Sequence, residues 1–242
     1  MNNDSVKKEE APSRHEVSKM FDKIAHRYDL LNRSLSFGQD VVWRKRMKRH
    51  LPDQEGLRVL DLATGTADQL LYLIDDERVV SGIGMDLAEK MLEIGREKIA
   101  ARGLDGKLRL ETGDAVSIPA DDESADVATI SFGIRNVVAV TEALDEMYRV
   151  LKPGGRALIL EFSLPRNVVM RKLYLFYFRH ILPRIGSLVS GDAYAYRYLN
   201  KTVETFPYGE AFCELMRAAG FRDVKARPLT FGIASIYQGD KE

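Results

Sequence analysis

Three carboxylates, each at or just past the end of a short apolar run, are the groups in this chain best spaced to hold a polar ligand. Asp61 closes the run Leu57 to Leu62, which only Arg58 interrupts. Asp86 follows the run that starts at Val79 and lies 25 residues beyond Asp61 (86 − 61). A nucleotide-binding α/β fold places there the acid that accepts ribose hydroxyl hydrogens. Asp114 follows Leu108 to Thr112 and Gly113, where an acid could accept from an adenine amino group while the Ala115 backbone N–H meets a ring nitrogen. Plainer uses compete. Asp86 and Glu89 are spaced as a capping box for the next helix, and Gly-Asp is ordinary turn chemistry.

The turn after Asp61 reads Ala63-Thr64-Gly65-Thr66-Ala67-Asp68. Gly65 lets the backbone approach a ligand, and the free N–H groups of the following helix favour an anion. It is not the three-glycine dinucleotide fingerprint, and no Gly-Lys-Ser/Thr follows as in a P-loop. An ordinary strand–helix corner is the alternative.

These residues need strands and helices to position them, and the periodicity supplies both. Val17, Met20, Phe21, Ile24 and Tyr28 predict a first helix from about Arg14 to Tyr28. A loop is expected from Tyr28 to Gly38. A second helix, from Gln39 to Leu51, puts Trp43, Met47 and Leu51 on one face and Arg44, Lys45, Lys48 and Arg49 on the other, read as a solvated basic face, with contact to phospholipid headgroups as the lesser alternative. Strands are then expected at 57–62, 79–86, 108–112, 126–131 and 156–162, joined by helices except for a polar turn, Asp121 to Ser124, between the third and fourth, and with a tight turn at Lys152-Pro153-Gly154-Gly155. This alternation is that of a doubly wound α/β sheet. Residues 163–206 break the rhythm with the aromatic stretch Leu173 to Phe178, read as a lid helix, as the wall of a greasy pocket or as a membrane-touching surface. It is too short and too charged at its edges to span a bilayer. A helix stopped by Gly220 and two strands, about 222–227 and 231–238, close the chain.

The 242 residues, 45% hydrophobic, suffice for one large domain over residues 14–242, after a polar, disordered lead-in at 1–13. Lys+Arg and Asp+Glu balance at 36 each, so the charge argues against nucleic acid as a partner. The lone Cys213 excludes an internal disulfide, and the scattered histidines suggest no metal. Without a signal peptide the protein is expected in the cytoplasm.

A strand, an acid and a single-glycine turn resemble the first motif of class I S-adenosylmethionine-dependent methyltransferases. Three further stretches narrow the resemblance: Tyr28-Asp29-Leu30-Leu31-Asn32 with Ser36-Phe37-Gly38, Ile130 to Val137, and Met147 to Gly155. Leu182 to Gly186 and Tyr196 to Leu199 also fit. Together they are similar to the quinone-biosynthesis C-methyltransferases, which act on demethylmenaquinol and, in some members, on a polyprenyl methoxy-benzoquinol. The likeness runs from about Val17 to the C-terminus. It implies a Rossmann-like, mostly parallel seven-stranded sheet, with cap helices at 14–51 and a helical, substrate-side insertion at 163–206. It implies S-adenosylmethionine as cofactor, contacted by Asp61, Gly65, Thr66, Asp86, Asp114, Ala115 and Ser131. Relatives often carry Asn where Asp114 stands, and Asp still accepts a hydrogen bond. A polyprenylated quinol as acceptor would bring the protein to the inner face of the membrane. Homodimerisation, and the choice between the two quinols, stay open.

A methyl group on sulfonium needs an electron-rich carbon in line with the S–C bond, and an ionised phenol supplies one at the adjacent ring position. Arg135, with Asn136, is expected to hold the phenolate oxygen. A structural ion-pair arginine is the equal alternative. His26, Tyr28, Asp29 or an Arg135-held water could take the proton. Ser131-Phe132-Gly133-Ile134 lacks the Asn/Asp-Pro-Pro-Tyr turn that holds an amino group, which argues against N-methylation of a base. A methyltransferase acting on another aromatic or lipid acceptor, or a non-catalytic scaffold, would share the cofactor half.

Overall fold

Strand and helix alternate as the sequence predicts, in a computed structural model that describes residues 14–182, 184 and 202–242. The lead-in at 1–13 and most of the later part of the insertion, including Tyr196 to Leu199, lie outside the described residues. Seven strands form one sheet in the order β3-β2-β1-β4-β5-β7-β6. They are β1 (Leu57–Leu62), β2 (Val79–Asp86), β3 (Leu108–Thr112), β4 (Ala125–Ser131), β5 (Leu151–Phe162), β6 (Arg222–Leu229) and β7 (Ala234–Asp240). The first five run parallel, and β7 pairs antiparallel with both neighbours. Strand order reverses between β1 and β4, so their carboxyl ends open a crevice there.

β4 is buried throughout and β1 everywhere but Arg58, as strands covered on both faces must be. The side chains alternate. Leu57, Val59, Val127, Leu158 and Leu160 face one core layer, and Leu60, Leu62, Ala128, Ile130 and Ile159 face the other. The first layer is closed by α2 (Gln39–Arg46), α3 (Asp68–Leu73) and α4 (Glu89–Ala101), the second by α5 (Val140–Val150) and α7 (Glu210–Ala218). Between β5 and α7, α6 (Val168–Phe176) continues into a wider turn, Tyr177–Ile181. The Asn167 side chain caps α6 by accepting from the Val169 and Met170 N–H groups.

Four local expectations are corrected. The first helix, α1, runs from Arg14 to Leu35, because nothing between Tyr28 and Leu35 breaks it and Leu31 and Leu35 extend its apolar stripe. Phe37 and Gly38, left-handed at φ 52° and 74°, turn the chain into α2. Arg44 is not on a solvated face. It is buried, with its guanidinium 5.2 Å from the Phe132 ring centroid. Lys152 to Gly155 is a bulged part of β5 rather than a separate turn, since the register against β4 jumps from Leu151 to Arg156. No capping box forms at α4. Asp86 accepts from the Ala88 N–H, while Glu89 holds Arg96 and Thr112.

Candidate active site

Two adjoining pockets open at the carboxyl ends of β1 and β4. The smaller, about 100 Å³, is lined by the β1 turn (Ala63, Gly65), by Asp86 and Leu87 after β2, by Gly113 to Ala115 after β3, and by Ser131 to Gly133 after β4. The larger, about 360 Å³, lies between α1, α2, α6 and the loop after β4, and its walls are overwhelmingly apolar. Phe21, Tyr28, Phe132 and Asn136 line both. They are the partition across which anything held in one pocket faces the other.

The smaller pocket depends on unusual backbone. Ala63, Gly65 and Ala67 all take left-handed conformations, φ 46°, 57° and 64°. The turn therefore coils tightly with one glycine and two alanines where a Cβ is disfavoured. Gly65 lines the cavity, and a Cβ there would meet Met91 Cε at 3.4 Å. Its N–H donates to Asp86 Oδ2 at 2.9 Å, which joins the β1 turn to the acid after β2. Burial raises the Asp86 carboxyl above its ordinary value, against the backbone N–H groups it accepts from. Ser131 Oγ donates to Gln69 at 3.1 Å.

Not every expected residue reaches the cavity. Asp61 lies one layer beneath it, accepting from Thr64 at 2.6 Å and Thr129 at 2.5 Å. Desolvation pushes its carboxyl up to about 6. Thr66 is buried and donates to Asp29 at 2.7 Å. Lys98 on α4 joins Asp29 at 2.5 Å and Asp68 at 2.6 Å, and Arg33 reaches Asp68 at 3.0 Å. Asp29 and Thr66 thus belong to a polar clasp that holds α1 down on α3 and α4. His26 is exposed and lines neither pocket.

Arg135 lines the larger pocket and is also a structural ion pair. Its Nη1 donates to Glu161 at 2.7 Å and to the Phe132 carbonyl at 2.5 Å, and its guanidinium lies 5.2 Å from the Phe162 ring centroid. Phe132, Phe162 and Trp43 build an aromatic wall beside it, the first two 4.6 Å apart. Phe132 is itself left-handed, φ 61°, strain of the kind that collects at working sites. Burial raises the Tyr28 phenol above its ordinary value, opposed mainly by the charge of Arg44 and then by Asn32 and Arg135. The sequence reading missed Glu161. A carboxylate inside the run Leu158 to Phe162 was the signal, since a buried acid demands a partner.

Residues 6–241 match the ubiE/COQ5 methyltransferase family. The chain belongs to that family. Family membership makes S-adenosylmethionine its cofactor and methyl transfer its chemistry. Among relatives, the ubiquinone/menaquinone biosynthesis C-methyltransferase UbiE of Geobacter sulfurreducens is 47% identical, over 93% of this chain and 88% of that one. The demethylmenaquinone methyltransferase of Thermus thermophilus is 46% identical, over 92% of this chain and 100% of that one. A Thermotoga maritima crystal structure, an S-adenosylmethionine-dependent methyltransferase described as a possible histamine N-methyltransferase, superposes with a TM-score of 0.67 at 20% identity. That match covers 93% of this chain and 99% of the other. It shows the fold alone.

Proposed function

We propose that this ubiE/COQ5 family member methylates a ring carbon of a polyprenylated quinol, converting demethylmenaquinol to menaquinol. The observation that carries the reading is the pair of pockets sharing one wall. A methyl donor in the smaller pocket faces an apolar, aromatic-walled chamber of a size suited to a ring and the start of its tail.

The smaller pocket suits the cofactor. Asp86 would accept from the ribose hydroxyls and Asp114 from the adenine amino group, and the Ala115 N–H would meet a ring nitrogen. Gly65, lacking a Cβ, leaves room for the remainder over the β1 turn, and Ser131 closes the β4 side. Asp61 and Thr66 act from beneath, holding the turn in shape. When bound, S-adenosylmethionine supplies an electrophilic methyl group that transfers with its bonding pair left on sulfur.

The chain's own residues then hold the acceptor. Phe132, Phe162 and Trp43 keep bulk solvent out and fix the ring plane. Arg135 faces the ring oxygen that ionises, stabilising negative charge that spreads to the adjacent carbon. Asn136, on the wall common to both pockets, orients the approach. Tyr28 stays protonated in its buried position and so serves as wall and donor. With His26 outside the site and Asp29 in the clasp, a water held beside Arg135 is the proton acceptor that this arrangement favours, first for the phenol proton and then for the ring C–H proton that leaves as the methyl group takes its place.

The test is transfer of label from S-adenosylmethionine to short-tailed demethylmenaquinone, with and without chemical reduction, read by mass spectrometry. The ubiquinone-pathway precursor runs alongside. Label is expected on the reduced naphthoquinol only, because the oxidised ring has no ionisable phenol. Label on the unreduced quinone, or none on either form, would falsify the reading.

Peripheral membrane contact is part of the proposal. No helix among the described residues is long and apolar enough to cross a membrane. Phe37, Val168, Val169, Leu173 and Phe176 are nonetheless all exposed. Phe37 lines the larger pocket, and α6 contributes Met170 and Tyr174 to the same walls.

A further inference from the structure

Among the described residues, three buried side-chain polar atoms have no hydrogen-bond partner: Arg44 Nε, Arg135 Nε and the Tyr174 hydroxyl. Two of these side chains, Arg135 and Tyr174, line the same apolar pocket. A buried, unpaired hydroxyl is destabilising, and phenylalanine would fill the same space without that penalty. Tyr174 is only 8% exposed. Its ring stacks on Phe178 with centroids 5.2 Å apart and packs among Leu31, Leu182 and Val203. The ring is therefore fixed, and the hydroxyl cannot swing out to solvent.

The neighbouring tyrosine gives the contrast. Tyr177, three residues on, donates its hydroxyl to the Leu35 carbonyl at 3.0 Å and so fastens α6 to the end of α1. One phenol of this helix has a structural use. Both side chains line the pocket, but the Tyr174 hydroxyl has no partner and lies within the field of the Arg135 and Glu161 charges.

We propose that the Tyr174 hydroxyl donates a hydrogen bond to a ring oxygen of the phenolic acceptor, making it, beside Arg135, a second polar contact in an otherwise greasy chamber. This deepens the quinol reading above and rests on it. An aromatic hydroxyl entering such a pocket is stripped of water and needs partners there. Burial raises the Tyr174 phenol well above its ordinary value, so it remains a donor across the working pH range. Donation to a charged oxygen is roughly twice as strong as donation to a neutral one. Tyr174 therefore favours the ionised ring over the neutral one, and it is the ionised ring that has the nucleophilic carbon.

The decisive comparison is Tyr174→Phe against Tyr177→Phe, each measured for turnover on reduced short-tailed demethylmenaquinone, cofactor Kd and Tm. Tyr174→Phe is expected to keep or raise Tm, leave cofactor Kd within about twofold and lower kcat about 10- to 100-fold, with KM moving less. The rise of kcat with pH should also shift to higher pH, because the bound phenol loses a stabiliser of its anion. Tyr177→Phe should lower Tm without moving that profile. Wild-type turnover on the reduced ring controls for the underlying reading, and if it is absent both proposals fall. With wild-type turnover present, an unchanged kcat and pH profile in Tyr174→Phe overturn the Tyr174 contact alone. A Tm loss as large as that of Tyr177→Phe overturns it too, since the hydroxyl would then be structural.

Discussion

Arg135 illustrates why a single side chain in this site cannot be tested by deletion alone. Its partner Glu161 is fully buried, so Arg135→Ala leaves a carboxylate without its counter-charge, a defect that typically costs about 3–5 kcal/mol. A fall in turnover would then mix lost substrate contact with lost folding. Arg135→Lys keeps the charge but not the planar fork. It should retain most of the stability and near-normal cofactor affinity while kcat drops at least about tenfold. Calorimetric binding beside turnover checks this, and full kcat in a folded Arg135→Lys protein would remove the arginine from the reaction.

Asp61 makes a different residue-scale prediction. Desolvation holds its carboxyl at about 6 against an ordinary value of 3.8, so the folded state binds this proton more tightly than the unfolded one. Stability from this group is therefore full below about pH 4 and falls as pH rises to about 6, by on the order of 3 kcal/mol. Asp61→Asn keeps the shape facing Thr64 and Thr129 and cannot ionise. Denaturant midpoints from pH 4 to pH 7.5 should show wild type losing stability relative to the variant across that window. Parallel curves would mean that the two threonine hydroxyls fully offset the burial.

At the scale of elements, the site depends on how closely the loop after β4 approaches the turn after β1. A Cβ on Gly133 would lie 2.5 Å from Ala63 Cβ, inside any tolerable contact. Gly133→Ala must push the two strand ends apart, and overpacking of this kind costs about 1–3 kcal/mol. Cofactor affinity should fall by a similar factor, since both loops line the smaller pocket. Adding Ala63→Gly removes the opposing methyl and should restore most of the affinity. A double variant no better than Gly133→Ala would show that Ile130, the other neighbour of that Cβ, is the obstacle.

The same elements show what was legible beforehand. Periodicity and turn residues placed the strands and located Asp86, Asp114, Ser131 and Arg135 at strand ends, because strand-end position is a local property. Whether Asp61 and Thr66 face the cavity or sit beneath it depends on which side of the turn coils inward. Three left-handed residues, two of them alanines, decide that, and alanine carries no signal for such a conformation. The clasp of Asp29, Lys98 and Asp68 joins residues up to 69 positions apart (98 − 29), and the partition between the pockets likewise draws on α1 and β4. Such pairings come from tertiary packing that a local pattern does not encode.

At the scale of the whole molecule, the pocket mouth and the surface chemistry have to serve an acceptor whose tail prefers lipid. The chain is formally neutral, so no net field draws it to an anionic membrane. On α6 and the turn after it, Arg179 is already held by Glu204 and Arg171 by the Pro165 carbonyl. The exposed apolar side chains remain, with Phe37 78% and Phe176 59% exposed. Burying one phenylalanine contributes roughly 1.5–3 kcal/mol, so under the proposed membrane contact the pair would give weak, reversible attachment, with the acceptor's tail left in the bilayer. Vesicle sedimentation should therefore show binding to zwitterionic lipid that changes little between low and high salt. Replacing Phe37 and Phe176 together with Ser should weaken it at least about tenfold. Binding confined to anionic vesicles and abolished by salt would instead assign the attachment to the exposed lysines and arginines of α2 and the turn after it.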